Sequence, residues 1–136
     1  MIPAIVAYLL DSNICIFLMK GVPEVAHRAK GHSRKDLFVS EVSVAELKYG
    51  VAKSQRPLGN REHLSEFLNG ISVIPISEVL DVFGFEKARL TRIGEVIPDF
   101  DLLIGATAIH HDLTLVTNNT KHFQRLNDIK LEDWTK

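Results

Sequence analysis

Ala4-Ile5-Val6-Ala7-Tyr8-Leu9-Leu10-Asp11-Ser12-Asn13-Ile14-Cys15-Ile16-Phe17-Leu18-Met19 is an apolar run, one carboxylate, and then a helix-period segment that Gly21 stops. An unbroken apolar run of this length suits a strand buried on both faces, as in a parallel sheet. The carboxylate then stands where strand passes into helix. The run Ile2 to Leu10 is too short to span a membrane and lacks the basic leader and cleavage site of a signal peptide.

The same alternation continues outward from this stretch. Pro23 suits the first turn of a helix through Lys30, and Leu37 to Ser40 reads as a second strand. A helix is predicted from about Val44 to Ala52, a turn at Arg56 to Gly59, and a short helix from Glu62 to Leu68. Ile71 to Ile76 gives a third strand, and Ser77 is a cap for a helix from Glu78 to about Gly94. An apolar helix, Asp101 to His110, precedes a strand at Leu113 to Val116, and Ile129 to Leu131 adds an edge strand. Apolar runs alternating with helical segments define an α/β domain with a parallel sheet. No repeat or linker divides the sequence, so residues 1–136 are expected to form one domain.

Composition narrows the class. With 46% hydrophobic and 24% charged residues, the chain is neither a disordered tail nor a fibre. Its single cysteine, Cys15, excludes a disulfide scaffold or Cys-cluster zinc site and suits a reducing cytoplasm. Residues 1–61 carry nine Lys/Arg and five Asp/Glu, whereas 62–136 carry seven and twelve. Phosphate contacts are therefore expected from the first half, which holds Lys20, Arg28, Lys30, Arg34, Lys35, Lys48 and Lys53. No G-x-x-x-x-G-K-[ST] occurs, which excludes a P-loop enzyme.

Three acidic residues stand where apolar segments meet helix starts: Asp11, Glu46 and Asp101. Each has a structural reading. Ser43 and Glu46 have capping-box spacing, and Asp11 and Asp101 are N-cap candidates. Carboxylates held among apolar elements are nevertheless costly unless paired or bound to a cation. Helix starts keep them ionised, and an all-oxygen set suits Mg²⁺ or Mn²⁺ and not zinc. All six histidines read as surface or packing residues; His110 and His111, adjacent in a helix, point about 100° apart and should not chelate one ion.

Tyr8-Leu9-Leu10-Asp11-Ser12-Asn13-Ile14-Cys15-Ile16 and Ser43-Val44-Ala45-Glu46-Leu47-Lys48-Tyr49-Gly50-Val51 resemble the first two motifs of PIN-domain ribonucleases of the VapC toxin type. Asp99-Phe100-Asp101-Leu102-Leu103-Ile104-Gly105-Ala106 resembles the third, and Leu115-Val116-Thr117-Asn118-Asn119 with Phe123 the fourth. The tail from Ile129 to Trp134 is also similar, so the likeness covers nearly the whole chain.

The resemblance implies a Rossmann-like PIN fold with a central parallel sheet of four to five strands flanked by helices. It carries over Asp11, Glu46 and Asp101 as the metal-binding acids and Asn119 as a fourth catalytic position, where many relatives have Asp. Ser12 stands where Thr is usual and keeps the hydroxyl. Asp99 reads as an exposed loop carboxylate, and Lys48 as a solvated helix residue. The implied activity is Mg²⁺- or Mn²⁺-dependent endonucleolytic hydrolysis of RNA, in which the ion lowers the pKa of the attacking water and neutralises phosphate charge. Glu46 or Asp101 is to help deprotonate that water, and the sequence does not choose between them. Family members of this type make transfer RNA, initiator transfer RNA first, the implied substrate. They also imply a VapB-type antitoxin that blocks the site and a homodimer. Apolar crowding at Ile14 to Met19 and at Val82, Phe83 and Phe85 offers either interface or core.

Two rivals belong to other classes. A phospho-receiver domain would need an acidic pair after the first strand, where this chain has Asp11-Ser12. A catalytically silent PIN-fold binding module would not need all three acids, although Asn119 leaves that alternative open.

Overall fold

Asp11 lies at the centre of the architecture because the strand before it is the middle strand of the sheet. The computed structural model describes residues 6–136 and alternates strand and helix. The order begins β1 (Tyr8–Leu10), α1 (Ser12–Lys20), α2 (Pro23–Lys30), a 3₁₀ turn at Arg34–Asp36, β2 (Leu37–Ser40), α3 (Glu41–Ala52) and α4 (Pro57–Asn69). It continues with β3 (Ser72–Ile74), α5 (Leu80–Arg92), α6 (Asp99–His110), β4 (Thr114–Val116), α7 (Thr120–Phe123) and β5 (Lys130–Glu132). The predicted start of the first strand, Ala4, lies outside the described residues.

All four strand pairings are parallel, in the order β3-β2-β1-β4-β5, so the expected parallel sheet has five strands. The chain moves outward from β1 through β2 and β3, then returns to the other side of β1 as β4 and β5. Direction reverses between β1 and β4, and open α/β sheets bind ligands in the crevice beyond the strand ends at such a reversal. Register does the rest. Leu10 pairs with Val116, so Asp11 and Thr117 leave the sheet side by side, and the Asp11 N–H donates to the Val116 carbonyl at 2.9 Å.

Strand alternation divides the core into two layers. Tyr8, Leu10 and Val116 pack on one face with Ile14, Val39 and Leu47. Leu9 and Leu115 point to the other face, among Leu90, Leu102, Ile104 and Phe123. The helix α6 is buried over most of its circumference, and Gly105 lets it lie against Leu126, whose side-chain end a Cβ would overlap. Trp134 is fully buried and stacks on His32, which also meets Tyr8, so the tail closes one edge of the core. Within α1, Ile14 and Cys15 are fully buried and Ile16 to Met19 pack against the same core, so most of that crowding is core packing.

Several boundaries differ from the sequence reading, each for a local reason. Helix α3 begins at Glu41, not Val44, because Ser40 at the end of β2 caps it by accepting from the Val42 N–H at 3.1 Å. The Ser43–Glu46 capping box is therefore absent. Ser43 is buried inside the helix, and Glu46 is a turn further in with its side chain free for other work. Helix α6 starts at Asp99 with Pro98 as N-cap, so Asp101 belongs to the first turn. Asp99 is accordingly a helix residue, not a loop one, and pairs with Lys87 at 3.0 Å. The turn at 56–59 is taken into α4, where Pro57 is tolerated at the helix start. Ser77 does not cap α5, whose N-cap is Val79.

Candidate active site

Asp11 is only 6% exposed and caps α1, accepting from the Ser12 N–H at 2.8 Å through Oδ1. Its Oδ2 accepts from Thr117 Oγ1, also at 2.8 Å. Ser12 Oγ donates to Glu46 Oε1 at 2.6 Å, which connects α3 to the start of α1. Across the crevice, His122 Nδ1 lies 3.4 Å from Asp101 Oδ2 and 2.9 Å from the Asn119 amide nitrogen. Asn119 also donates its backbone N–H to Thr117 Oγ1 at 3.0 Å. The four residues singled out in the sequence are thus joined through two hydroxyls and one imidazole.

Electrostatics marks the crevice as one site. Burial pushes the Asp11 carboxyl up to about 6 from an ordinary 3.8. Hydrogen bonds from Thr117 and Ser12 hold it down in part, while the nearby charges of Asp101 and Glu46 raise it further. A buried carboxylate facing two others is the arrangement that a hard cation stabilises. The donors are all oxygen, and among the described residues Glu46 Oε2 and Asp101 Oδ1 receive no hydrogen bond from the protein. The three carboxylates do not bring one oxygen each within 4.8 Å of one another; the set that does, among the described residues, is Glu78, His110 and His111. Mg²⁺ commonly uses one or two carboxylates and keeps several waters, so this more open donor set still fits it.

Sequence reasoning gave no role to two residues that the structure places in the candidate site. Thr117 was legible only as part of the fourth motif, without a role. His122 is not the surface or packing residue expected of it, because its ring bridges Asp101 and Asn119. The only available signal was its place one helical turn after Asn119. The expectation for His110 and His111 is also corrected: their rings meet edge to face at 4.8 Å, because His110 ends α6 and His111 is its cap. Of the basic residues in the first half, Arg28 is already engaged, 3.3 Å from Glu132. Burial pushes the Cys15 thiol well up, which makes it a packing group and not a nucleophile.

A Rossmann-like sheet with acids gathered at its switch point defines the class, and residues 8–129 match the PIN domain family. The chain is 35% identical to Ribonuclease VapC2 of Rickettsia felis over 135 residues, covering 95% of this chain and 98% of that protein. It is 33% identical to the tRNA(fMet)-specific endonuclease VapC of Shigella flexneri over 129 residues, covering 94% and 98%. The structure of DNA-bound VapBC from Salmonella typhimurium superposes with a TM-score of 0.88 at 30% identity, covering 96% of this chain and 99% of the other. The chain belongs to the VapC family of PIN-domain ribonucleases.

Proposed function

We propose that this chain is the toxin of a VapBC-type toxin–antitoxin module, a single-domain endoribonuclease that uses Mg²⁺, with Mn²⁺ as a substitute, to hydrolyse phosphodiesters of transfer RNA. The observation that carries the reading is that Asp11 ends β1 beside β4, Ser12 ties Glu46 to the start of α1, and Asp101 stands near enough for its charge to act on Asp11. Initiator transfer RNA is the substrate proposed first, by analogy with the tRNA(fMet)-specific relative.

Asp11, Glu46 and Asp101 would hold the ion, with Asn119 beside them as an amide donor. When bound, the ion supplies charge neutralisation at the phosphate and acidifies the attacking water. The protein contributes orientation. Ser12 fixes Glu46, Thr117 fixes Asp11, and His122 fixes Asp101 against Asn119. Among the described residues, Glu46 and Asp101 each keep one oxygen clear of protein donors, so either can accept the water's proton.

A groove of about 390 Å³ lined by Ile16, Met19, Leu47, Gly50 and Glu46 opens beside the site. A VapB-type antitoxin segment laid along it would reach Glu46, and a cationic side chain there would compete with the metal. A homodimer is proposed as well, for which exposed Phe85, Ile93, Val96 and Phe100 offer apolar surface. No helix among the described residues is long and apolar enough to cross a membrane. We assign the chain to the cytoplasm, where its single cysteine can stay reduced and RNA is available.

The test is cleavage of a total transfer-RNA pool by the purified chain with Mg²⁺, with Mn²⁺ and with EDTA, beside Asp11→Asn. Discrete fragments that vanish with EDTA and with the variant support the proposal, and their ends identify the substrate. An Asp11→Asn protein that cuts as well as wild type overturns the site assignment.

A further inference from the structure

The helices α5 and α6 pack against each other so that the start of α5 meets the end of α6, and three donors gather there. Glu78 lies in the turn before α5, His110 is the last residue of α6, and His111 caps it. One ligand atom from each lies within 4.8 Å of the other two, and His110 Nε2 is 3.7 Å from Glu78 Oε2. Donors on a tetrahedral zinc ion, at bond lengths near 2.0–2.1 Å, stand about 3.3 Å apart, so rotamer adjustment of two exposed side chains closes the set. His111 Nε2 is a second observation: it is buried and has no hydrogen-bond partner among the described residues. A buried imidazole nitrogen left unpaired is unfavourable, and a metal ion bound at His111 Nε2 would give it a partner. The carbonyls at the end of α6 add negative potential at the same place.

We infer that Glu78, His110 and His111 form a second metal site, distinct from the carboxylate crevice and suited to Zn²⁺ or a similar transition-metal ion. Two imidazoles with one carboxylate are borderline ligands that prefer zinc to magnesium, which reverses the preference of the all-oxygen crevice. The separation along α6 is large. Nine residues from Asp101 to His110 rise about 14 Å, so the two sites cannot share an ion. Three protein ligands leave a fourth position to water. The site ties α5 to α6, the helix that carries Asp101, and its ion acts as a clip between them.

The test titrates Zn²⁺ into the EDTA-stripped, dialysed full chain by calorimetry with millimolar Mg²⁺ present throughout, beside Glu78→Gln, His110→Gln and Asp11→Asn. Glu78 and His110 are exposed, so both substitutions leave the fold intact, which circular dichroism checks. The wild-type chain and Asp11→Asn should bind one equivalent. Glu78→Gln and His110→Gln should each weaken it at least tenfold. Saturating Zn²⁺ should raise Tm by about 5–10 °C in wild type and hardly at all in those two variants. Mg²⁺-supported RNA cleavage should be the same in Glu78→Gln as in wild type. The inference is overturned if no equivalent of Zn²⁺ binds, if Glu78→Gln and His110→Gln bind it as wild type does, or if Asp11→Asn abolishes it.

Discussion

Thr117 Oγ1 donates a hydrogen bond to Asp11 Oδ2 at 2.8 Å, joining residues 106 positions apart in the chain. Parallel pairing of β1 with β4 sets this contact, since Leu10 and Val116 are register partners. The bond favours the ionised carboxylate and opposes the effect of burial. Thr117→Val keeps the shape and removes the donor, so the Asp11 carboxyl moves higher still. Cleavage by this variant should fall roughly tenfold near neutrality and recover as pH rises, which a pH profile from 6 to 9 checks.

Asp11 itself should trade stability for activity. Its folded pKa of about 6 lies above the ordinary 3.8, so the folded metal-free protein holds this proton more tightly than the unfolded chain. That contribution favours folding in full below about pH 4 and is lost as pH rises through about 6. Asp11→Asn should therefore stabilise the metal-free protein at pH 7.5 by about 1–3 kcal/mol, and by much less at pH 4. Urea unfolding at the two pH values measures this. Mg²⁺ should raise the Tm of wild type and leave the variant unchanged.

Ser12 and Glu46 should separate positioning from charge. Ser12→Ala removes the 2.6 Å donor to Glu46 Oε1 but leaves the carboxylate, and should reduce turnover about tenfold. Glu46→Gln removes the charge and should reduce it by about 10²–10⁴. Single-turnover cleavage at saturating Mg²⁺ distinguishes them. Equal losses would make Glu46 a scaffold residue.

His122 orients Asp101 and Asn119 from a partly exposed position, so its removal should leave the fold intact. His122→Ala should raise the Mg²⁺ concentration needed for half-maximal cleavage by roughly 10–100-fold. A metal titration of activity reads this directly, and excess Mg²⁺ should restore much of the rate.

Glu86 predicts a purely structural effect. Although 4% exposed, it is fully engaged: Oε2 meets Arg89 Nε at 2.5 Å and Oε1 accepts from the Asn127 N–H at 2.8 Å. Arg89 in turn donates to the Arg125 carbonyl at 2.7 Å. Glu86→Ala leaves the Arg89 Nε–H and the Asn127 N–H without their acceptor and should destabilise the protein by about 2–4 kcal/mol in denaturant unfolding. Mg²⁺ affinity of the folded variant should not change.

The apolar run into Asp11, the α/β alternation and the parallel sheet were readable in the chain because they depend on local burial periodicity. Asp11, Glu46, Asp101 and Asn119, the residues proposed for the site, were singled out from their motifs. Where helices began was less legible. Ser40 and Ser43 are both plausible caps by residue type, and the end of β2 decides in favour of Ser40. That choice frees Glu46 from capping and turns it toward Ser12.

The contacts that make a site of these residues came only from the tertiary structure. Thr117 reaches Asp11 through strand register, His122 reaches Asp101 through the packing of α7 on α6, and Glu78 reaches His110 because α5 packs along α6 with its start at the end of α6. Each depends on strand order and helix docking, which couple positions up to 106 residues apart. Hydrophobic periodicity carries which face of an element is buried, but not which distant element will cover it.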